Sequence, residues 1–173
     1  MQLLAISGSL RAVSSNTALL QAAAKLAPEG VEVVLHDGIG ALPHFNPDIS
    51  DEDAPASVAA FRAALTQADG VIFSTPEYAH GLPGVLKNAL DWVVGSGELA
   101  EKPVALFNAS PRSTFAVASL TEILTVMSAR VIDEASVTVQ LAGRALPEGG
   151  IAADEELAGM LRGAIAAFVE VVG

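Results

Sequence analysis

Residues 70 to 94 constrain the fold of this chain more than any other segment, because a strand, a loop and a helix can be assigned there. The apolar run Gly70–Ser74 is typical of a strand that is buried on both faces of a parallel sheet. Apolar residues then recur at helical spacing from Leu82 to Val94 and predict a helix with one apolar stripe. Pro76, Glu77 and Tyr78 lie between them, at the strand's carboxyl end, where open α/β sheets bind ligands.

The rest of the chain repeats this alternation of strand and helix patterns. The predicted strands cover residues 2–7, 31–35, 70–74, 103–108 and 131–139. The predicted helices cover residues 16–26, the segment ending at 68, 82–94, about 116–129, and a last segment that begins at Asp154 as N-cap. This order predicts one α/β domain over residues 1–173, a flavodoxin-like doubly wound sheet of five parallel strands in the order 2-1-3-4-5 with helices on both faces.

Composition excludes several classes of function. The net charge of −11 argues against nucleic acid or an anionic membrane as partner, so an anionic ligand must be captured by local geometry. The absence of cysteine excludes thiolate nucleophiles, disulfides and cysteine metal sites. The three histidines lack metal-ligand spacing, and we expect no metal. Residues 1–6 are interpreted as a strand and not as a signal peptide, and no apolar run approaches ~18 residues, which predicts a cytoplasmic protein.

The loop after the first strand has the composition of a phosphate site. Residues 7–17 combine hydroxyl side chains with Gly8 and Arg11 ahead of a predicted helix, whose free amides and positive end attract anions. Arg11 can pair with a phosphate in a fork. The alternative is that Ser14 or Ser15 only caps the helix and that Arg11 is solvated.

Other motifs for phosphate or nucleophilic chemistry are missing. The chain has neither G-x-G-x-x-G nor the P-loop sequence, and it has no G-x-S-x-G elbow. A tyrosine phosphatase of similar topology would need a cysteine, and a receiver domain would need acidic residues where the first strand ends in Ser and Gly. No acid–base dyad stands out. The two loops instead define a site shaped for FMN.

Two sets of residues closely resemble the NADPH-dependent FMN reductase family, which includes bacterial quinone and chromate reductases. The first is Gly8-Ser9-Leu10-Arg11 followed by Ser14 and Asn16, and the second is Pro76-Glu77-Tyr78 followed by Pro83-Gly84-Val85-Leu86-Lys87-Asn88-Ala89-Leu90-Asp91-Trp92. The resemblance covers nearly the whole chain.

The resemblance implies an enzyme with bound FMN that uses NADPH or NADH to reduce a quinone, flavin, azo compound or metal oxyanion by two electrons. By position, the FMN phosphate would be held by Ser9, Arg11, Ser14, Asn16 and Thr17. The isoalloxazine edge would be bordered by Pro76, Glu77, Tyr78 and Gly81, through their backbone amides. Ser110 and Arg112 follow the fourth strand and should face the flavin.

The chain departs from the family pattern in two loops. Ala79 stands where many members have Asn, and residues 108–113 replace a Gly-rich loop. We hypothesise that Arg112 offsets charge near the flavin O2 or binds the NADPH phosphate, the alternative being a solvent-facing side chain. His80 is a candidate proton donor to a quinone oxygen, the alternative being packing over the ring or at a subunit contact.

Several assignments stay open from the sequence alone. A flavodoxin-like electron carrier without its own NAD(P)H turnover is the alternative function, and a relative that has lost FMN is a third. We expect a homodimer or homotetramer and a small-molecule acceptor. Lys87, Asn88 and Asp91 are expected on a solvated or dimer-facing side, and Trp92 at the helix end or against a partner. Loops 37–54 and 139–153 are candidates for substrate access or subunit contact.

Overall fold

A computed structural model describes residues 1–173 as alternating strands and helices. The strands are β1 Gln2–Ser7, β2 Glu32–His36, β3 Gly70–Ser74, β4 Pro103–Asn108, β5 Arg130–Val131 and β6 Val137–Thr138. The helices are α1 Ser15–Leu26, α2 Ala56–Gln67, α3 Gly84–Asp91, α4 Thr114–Val126 and α5 Glu155–Val172. None of these helices is long and apolar enough to cross a membrane.

The sheet is parallel and has the predicted order. Its strands run β2-β1-β3-β4-β5, which confirms the flavodoxin-like topology. Ala5 of β1 is level with Leu35 of β2 on one side and with Ile72 of β3 on the other. Because Ser7 and Ser74 end their strands level with each other, the loops that follow β1 and β3 leave the sheet side by side.

Alternate residues of each strand supply two separate cores. On one face, Leu4, Ile6 and Phe73 pack with apolar residues of α2, α3 and α4. On the other, Leu3, Ala5 and Phe107 pack with α1 and α5. Helices therefore cover both faces of the sheet, as its near-continuous apolar strands require.

The predicted fifth strand is interrupted. Instead of one strand over 131–139, two two-residue strands flank a 3₁₀ turn at Asp133–Ala135, and both pair with β4. Between these two strands, the Ser136 side chain acts as the hydrogen-bond acceptor for β4: its Oγ accepts from Leu106 N at 3.0 Å. A side-chain acceptor thus replaces one backbone carbonyl, which sequence patterning does not detect.

The third helix is shorter than predicted, and the side expected to face solvent or a partner contacts the loop after β2. It ends at Asp91, and Val94, predicted in the apolar stripe, is 57% exposed. Asn88 is not merely solvated, since its Oδ1 accepts from Phe45 N at 2.8 Å and its Nδ2 donates to Pro43 O at 2.9 Å. Trp92 is buried at the helix end and donates from Nε1 to the same carbonyl at 2.8 Å. These contacts fix part of the long loop after β2 against α3.

Candidate functional site

Three loops meet at the carboxyl edge of the sheet, and we call this region the crest: residues 8–14 after β1, 75–83 after β3 and 109–113 after β4. The first loop is tied to the end of β3, where the second loop begins, because Gly8 N donates to Ser74 O at 2.8 Å. All the residues predicted to bind FMN lie in these loops or in the first turn of α1. The predicted order of the strands is what brings them together.

The first crest loop is folded by its own hydroxyl groups. Ser7 Oγ and Thr17 Oγ1 are 2.8 Å apart, and Ser9 N donates to Ser7 Oγ at 3.3 Å. Arg11 N donates to Ser9 Oγ at 3.4 Å. Ser14 is the N-cap of α1, since its Oγ accepts from Thr17 N at 3.3 Å. Ser14 therefore caps the helix, which was one of the alternatives that the sequence left open. The hydroxyl groups of Ser9 and Thr17 lie beside the same loop.

Asn16 lies deeper than its predicted neighbours. Its side chain is buried, and its Oδ1 accepts a hydrogen bond from Ser74 Oγ at 3.0 Å, which ties α1 to β3. Its Nδ2 group donates to no atom of the chain. Contact between Asn16 and a phosphate would have to use that Nδ2 group.

A cavity of about 240 Å³ opens beside this loop. Ser9, Arg11 and Thr17 line it, together with Leu10 and Ser7. Its opposite wall comes from the end of β2 and the turn that follows, namely Leu35, His36, Asp37 and Ile39. The motifs did not mark this second wall. The strand order could have indicated it, because β2 neighbours β1 and its carboxyl end lies on the same edge.

His36 in this wall is partly desolvated. Its ring packs against Phe61 at 5.1 Å between centroids, and its Nε2 is buried without a hydrogen-bond partner. Burial lowers the pKa of His36 below its ordinary value, and the nearby Asp37 carboxylate opposes that shift. The neutral imidazole is therefore favoured in the folded protein.

The second crest loop contains a tight turn with unusual backbone angles. Tyr78 N donates to Gly81 O at 3.1 Å and Gly81 N donates to Tyr78 O at 3.0 Å. Ala79 and His80 between them have φ of 49° and 58°. Two successive left-handed residues define a type I′ turn, which normally uses Asn and Gly. Such strain at a ligand-facing loop is a recurrent property of functional sites.

This turn limits which backbone amides a ligand can use. Pro76 has no N–H, and the amides of Tyr78 and Gly81 are occupied inside the turn. The N–H groups of Glu77, Ala79 and His80 donate no hydrogen bond within the chain. Of the four residues predicted to offer backbone amides, only Glu77 has a free N–H, and the free amides of Ala79 and His80 were not predicted.

The same loop packs against the start of α4. The His80 ring is stacked on Phe115, with centroids 4.2 Å apart and planes 19° from parallel. Glu77 Oε2 accepts a hydrogen bond from Ala116 N at 2.9 Å. The Tyr78 and Phe115 side chains are 51% and 53% exposed. Phe115 was missed because its position suits any amphipathic helix.

The third crest loop is ordered by short side-chain contacts. Asn108 Oδ1 accepts from Ser110 N at 3.2 Å, and Ser110 Oγ accepts from Arg112 N at 3.2 Å. The guanidinium groups of Arg112 and, on the first loop, Arg11 form no ion pair, whereas Arg62, Lys87 and Arg144 do. The crest therefore carries two uncompensated cations on a chain whose net charge is −11. They are suited to an anionic ligand.

Comparison with known proteins gives consistent matches. A family model described as NADPH-dependent FMN reductase matches residues 1–143. An NAD(P)H-dependent FMN reductase from Pseudomonas aeruginosa is 42% identical over 111 residues, 63% of this chain and 60% of that protein. A quinone reductase from Escherichia coli is 38% identical over 113 residues, 64% of this chain and 60% of its own length. The chain thus matches less than two thirds of each of these relatives.

One solved structure is similar over almost its full length. FerB, a flavoenzyme NAD(P)H:(acceptor) oxidoreductase from Paracoccus denitrificans, is 32% identical with a TM-score of 0.87. That similarity covers 99% of this chain and 96% of FerB.

Proposed function

The chain belongs to the NADPH-dependent FMN reductase family, and from that premise we propose that it is an FMN-dependent oxidoreductase that transfers two electrons from NADPH or NADH to a quinone or flavin. The proposal is supported by the relatives, which are named as FMN, quinone or acceptor reductases. NAD(P)H is a donor inside the cell, so the same proposal places the protein in the cytoplasm.

One observation carries the proposal: the first crest loop presents an unpaired cation and hydroxyl groups beside a cavity at the N-terminus of α1. Arg11 forms no ion pair, and with Ser9 and Thr17 it lines the cavity of about 240 Å³. A phosphate dianion would gain charge-assisted hydrogen bonds there and the favourable end of the helix dipole. The proposal requires these local donors to offset the repulsion from the net negative chain and from Asp37 in the cavity wall. The residues present therefore fit an FMN phosphate.

The second crest loop fits the planar part of the same group. The three unused amides of Glu77, Ala79 and His80 are donors on a rigid turn, and Tyr78 offers an exposed ring. Donors fixed in this way need no reorganisation when negative charge develops at the edge of a ligand. Bound FMN would supply the hydride chemistry itself, and the protein would supply orientation and electrostatics.

Arg112 and His80 complete the proposed site. Arg112 carries the second unpaired guanidinium of the crest and is suited to the flavin edge or to a phosphate of the electron donor. The His80 ring packs on Phe115 of the same chain, a contact that the sequence did not predict. A role for its imidazole as a proton donor to a quinone oxygen is tested by His80→Gln, which should slow quinone turnover without loss of FMN.

We also propose that the chain acts as a homodimer through α3 and α4. A groove of about 210 Å³ between these helices is lined mainly by apolar residues, among them Leu90, Ile123 and Met127. Val94 and Val126 at this groove are 57% and 72% exposed, so a partner subunit would bury apolar surface there. Light scattering of the wild type and of Val126→Glu tests this, since the charge should dissociate the dimer.

The experiment that tests the proposed function is FMN binding followed by steady-state NAD(P)H oxidation with a simple quinone. Arg11→Ala should raise the FMN Kd by about tenfold or more, the typical loss for a hydrogen bond to a charged group. Arg162→Ala, an exposed arginine of α5 without an ion pair, is the matched control and should leave the Kd unchanged. Bound FMN without quinone-dependent oxidation would favour an electron carrier.

A further inference from the structure

We propose that Glu77 is a positioning residue, whose carboxylate caps the N-terminus of α4 from the neighbouring loop and so fixes the spacing between two walls of the flavin site. The walls are the turn at residues 78–81 and the start of α4. The inference rests on the proposed function for its consequence, but the contact itself can be measured without any ligand. It assigns a role to the Glu77 side chain, which is distinct from that of its backbone amide.

Helix α4 has no side-chain cap of its own. The first amides of a helix lack acceptors inside the helix and need them elsewhere. Ser113 is at the N-cap position of α4, but its side chain accepts no hydrogen bond from the helix. The amide of Ala116 is satisfied instead by Glu77 Oε2 at 2.9 Å, from a residue 39 positions earlier in the chain.

Glu77 also supplies negative charge at the N-terminus of α4. The first turn of α4 contains no acidic residue, so it offers no negative group to the positive end of the helix dipole. Glu77 brings a carboxylate to that end, where an anion is favoured. The contact therefore depends on both a hydrogen bond and a charge, and a glutamine at position 77 would retain only the first.

The turn that follows Glu77 has a strained backbone. Ala79 and His80 hold left-handed backbone angles, which persist only where surrounding contacts impose them. The turn is attached to α4 at two points, by the Glu77 carboxylate before it and by the His80 ring on Phe115 within it. Loss of the Glu77 contact would leave only the aromatic stack to hold the turn in register with α4.

The test separates capping from positioning. Glu77→Ala removes both, whereas Ser113→Asp gives α4 a cap of its own without reconnecting the loops. Four proteins are compared: the wild type, each single variant and the double variant Glu77→Ala/Ser113→Asp. Hydrogen exchange at the Ala116 amide and the Tm are measured in FMN-free protein, and FMN Kd and acceptor KM after reconstitution.

We expect Glu77→Ala to speed Ala116 exchange, lower the Tm, and raise FMN Kd or acceptor KM by about tenfold, the loss typical of one charged hydrogen bond. In the double variant the exchange protection and the Tm should recover, while the raised Kd or KM should persist. Because Ser113 follows Arg112 in the third crest loop, Ser113→Asp alone supplies the baseline Kd and KM against which those of the double variant are compared. Glu77→Gln should fall between the wild type and Glu77→Ala, and it keeps the comparison possible if Glu77→Ala does not fold.

Two results would overturn the inference. One is recovery of Kd and KM together with the Tm in the double variant, which would make Glu77 a helix cap only. The other is unchanged Ala116 exchange in Glu77→Ala. A wild type that binds no FMN would contradict the proposed function instead, and the exchange measurement would still decide whether Glu77 holds α4.

Discussion

The backbone of Gly8 lies so close to the side chain of Thr75 that a methyl group at position 8 would be 2.5 Å from Thr75 Oγ1 and 3.0 Å from its Cβ. The same methyl group would be 3.1 Å from Leu86 Cδ2. Position 8 therefore needs glycine for space, and the requirement comes from the contact between the first and second crest loops.

Gly8→Ala should push these two loops apart. We expect a loss of about 1–3 kcal/mol in the free energy of unfolding, as for other overpacked sites, together with weaker FMN binding. Urea unfolding and FMN titration measure the two effects. Gly163→Ala is the control, because nothing lies within 4 Å of the added methyl in α5. It should be neutral or stabilising by up to about 1 kcal/mol. Equal behaviour of the two variants would contradict the role of the contact.

Ala79→Gly should stabilise the protein. The left-handed conformation costs a non-glycine residue about 1–2 kcal/mol, and the greater freedom of unfolded glycine offsets about 0.4–1 kcal/mol of the gain. We therefore expect a net gain of about 0.5–1 kcal/mol in urea unfolding. Ala59→Gly on the exposed side of α2 should instead lose about 1 kcal/mol. Destabilisation by both variants would show that Ala79 is not strained.

Arg112→Ala should weaken the binding of an anionic ligand or of the electron donor. We expect FMN Kd or NADPH KM to rise by about tenfold, since a charge-assisted hydrogen bond is lost. The exposed Arg162→Ala serves as the matched loss of charge away from the crest. If the FMN Kd and the NADPH KM both equal the wild-type values, Arg112 faces solvent and binds neither ligand.

Acid should destabilise the fold in part through His36. Its pKa is lowered in the folded protein by burial, so below the ordinary value of about 6.5 the unfolded chain binds more protons. The free energy of unfolding should therefore fall as pH decreases through and below about 6.5, and this contribution should be flat above it. His36→Phe keeps an aromatic packing partner for Phe61 and should reduce the slope. His44→Phe, at an exposed position, should leave the pH slope of the free energy of unfolding unchanged.

Two features of the site followed from the sequence because they depend on strand ends. The positions of Ser9 and Tyr78 on the crest required only that their strands be parallel neighbours, which the apolar runs and the intervening helix already indicate. The family motifs added the kind of ligand that would lie between them. Local capping by Ser14 and Asp154 was also predictable, since N-caps depend on residues within one turn.

The remaining features depend on contacts between distant residues. The Asn16 side chain points inward, where its Oδ1 accepts from the buried Ser74 hydroxyl. The Glu77 side chain extends away from its own loop and accepts from Ala116 N, which has no other acceptor. The fifth strand breaks where Ser136 replaces a backbone acceptor. The sequence does not show whether a polar side chain faces solvent, binds a ligand or bonds to a distant residue. These roles are therefore seen only in the structure.

The central claim is most directly tested by the absorption spectrum of the purified protein, with FMN added if it is colourless, before and after anaerobic addition of NADPH. We expect flavin bands at ~375 and ~450 nm that bleach when NADPH is added, because the site is proposed to bring donor and flavin together. A protein that neither retains nor takes up FMN would contradict the proposed site. Bound flavin that NADPH leaves oxidised would contradict the proposed activity and favour an electron carrier.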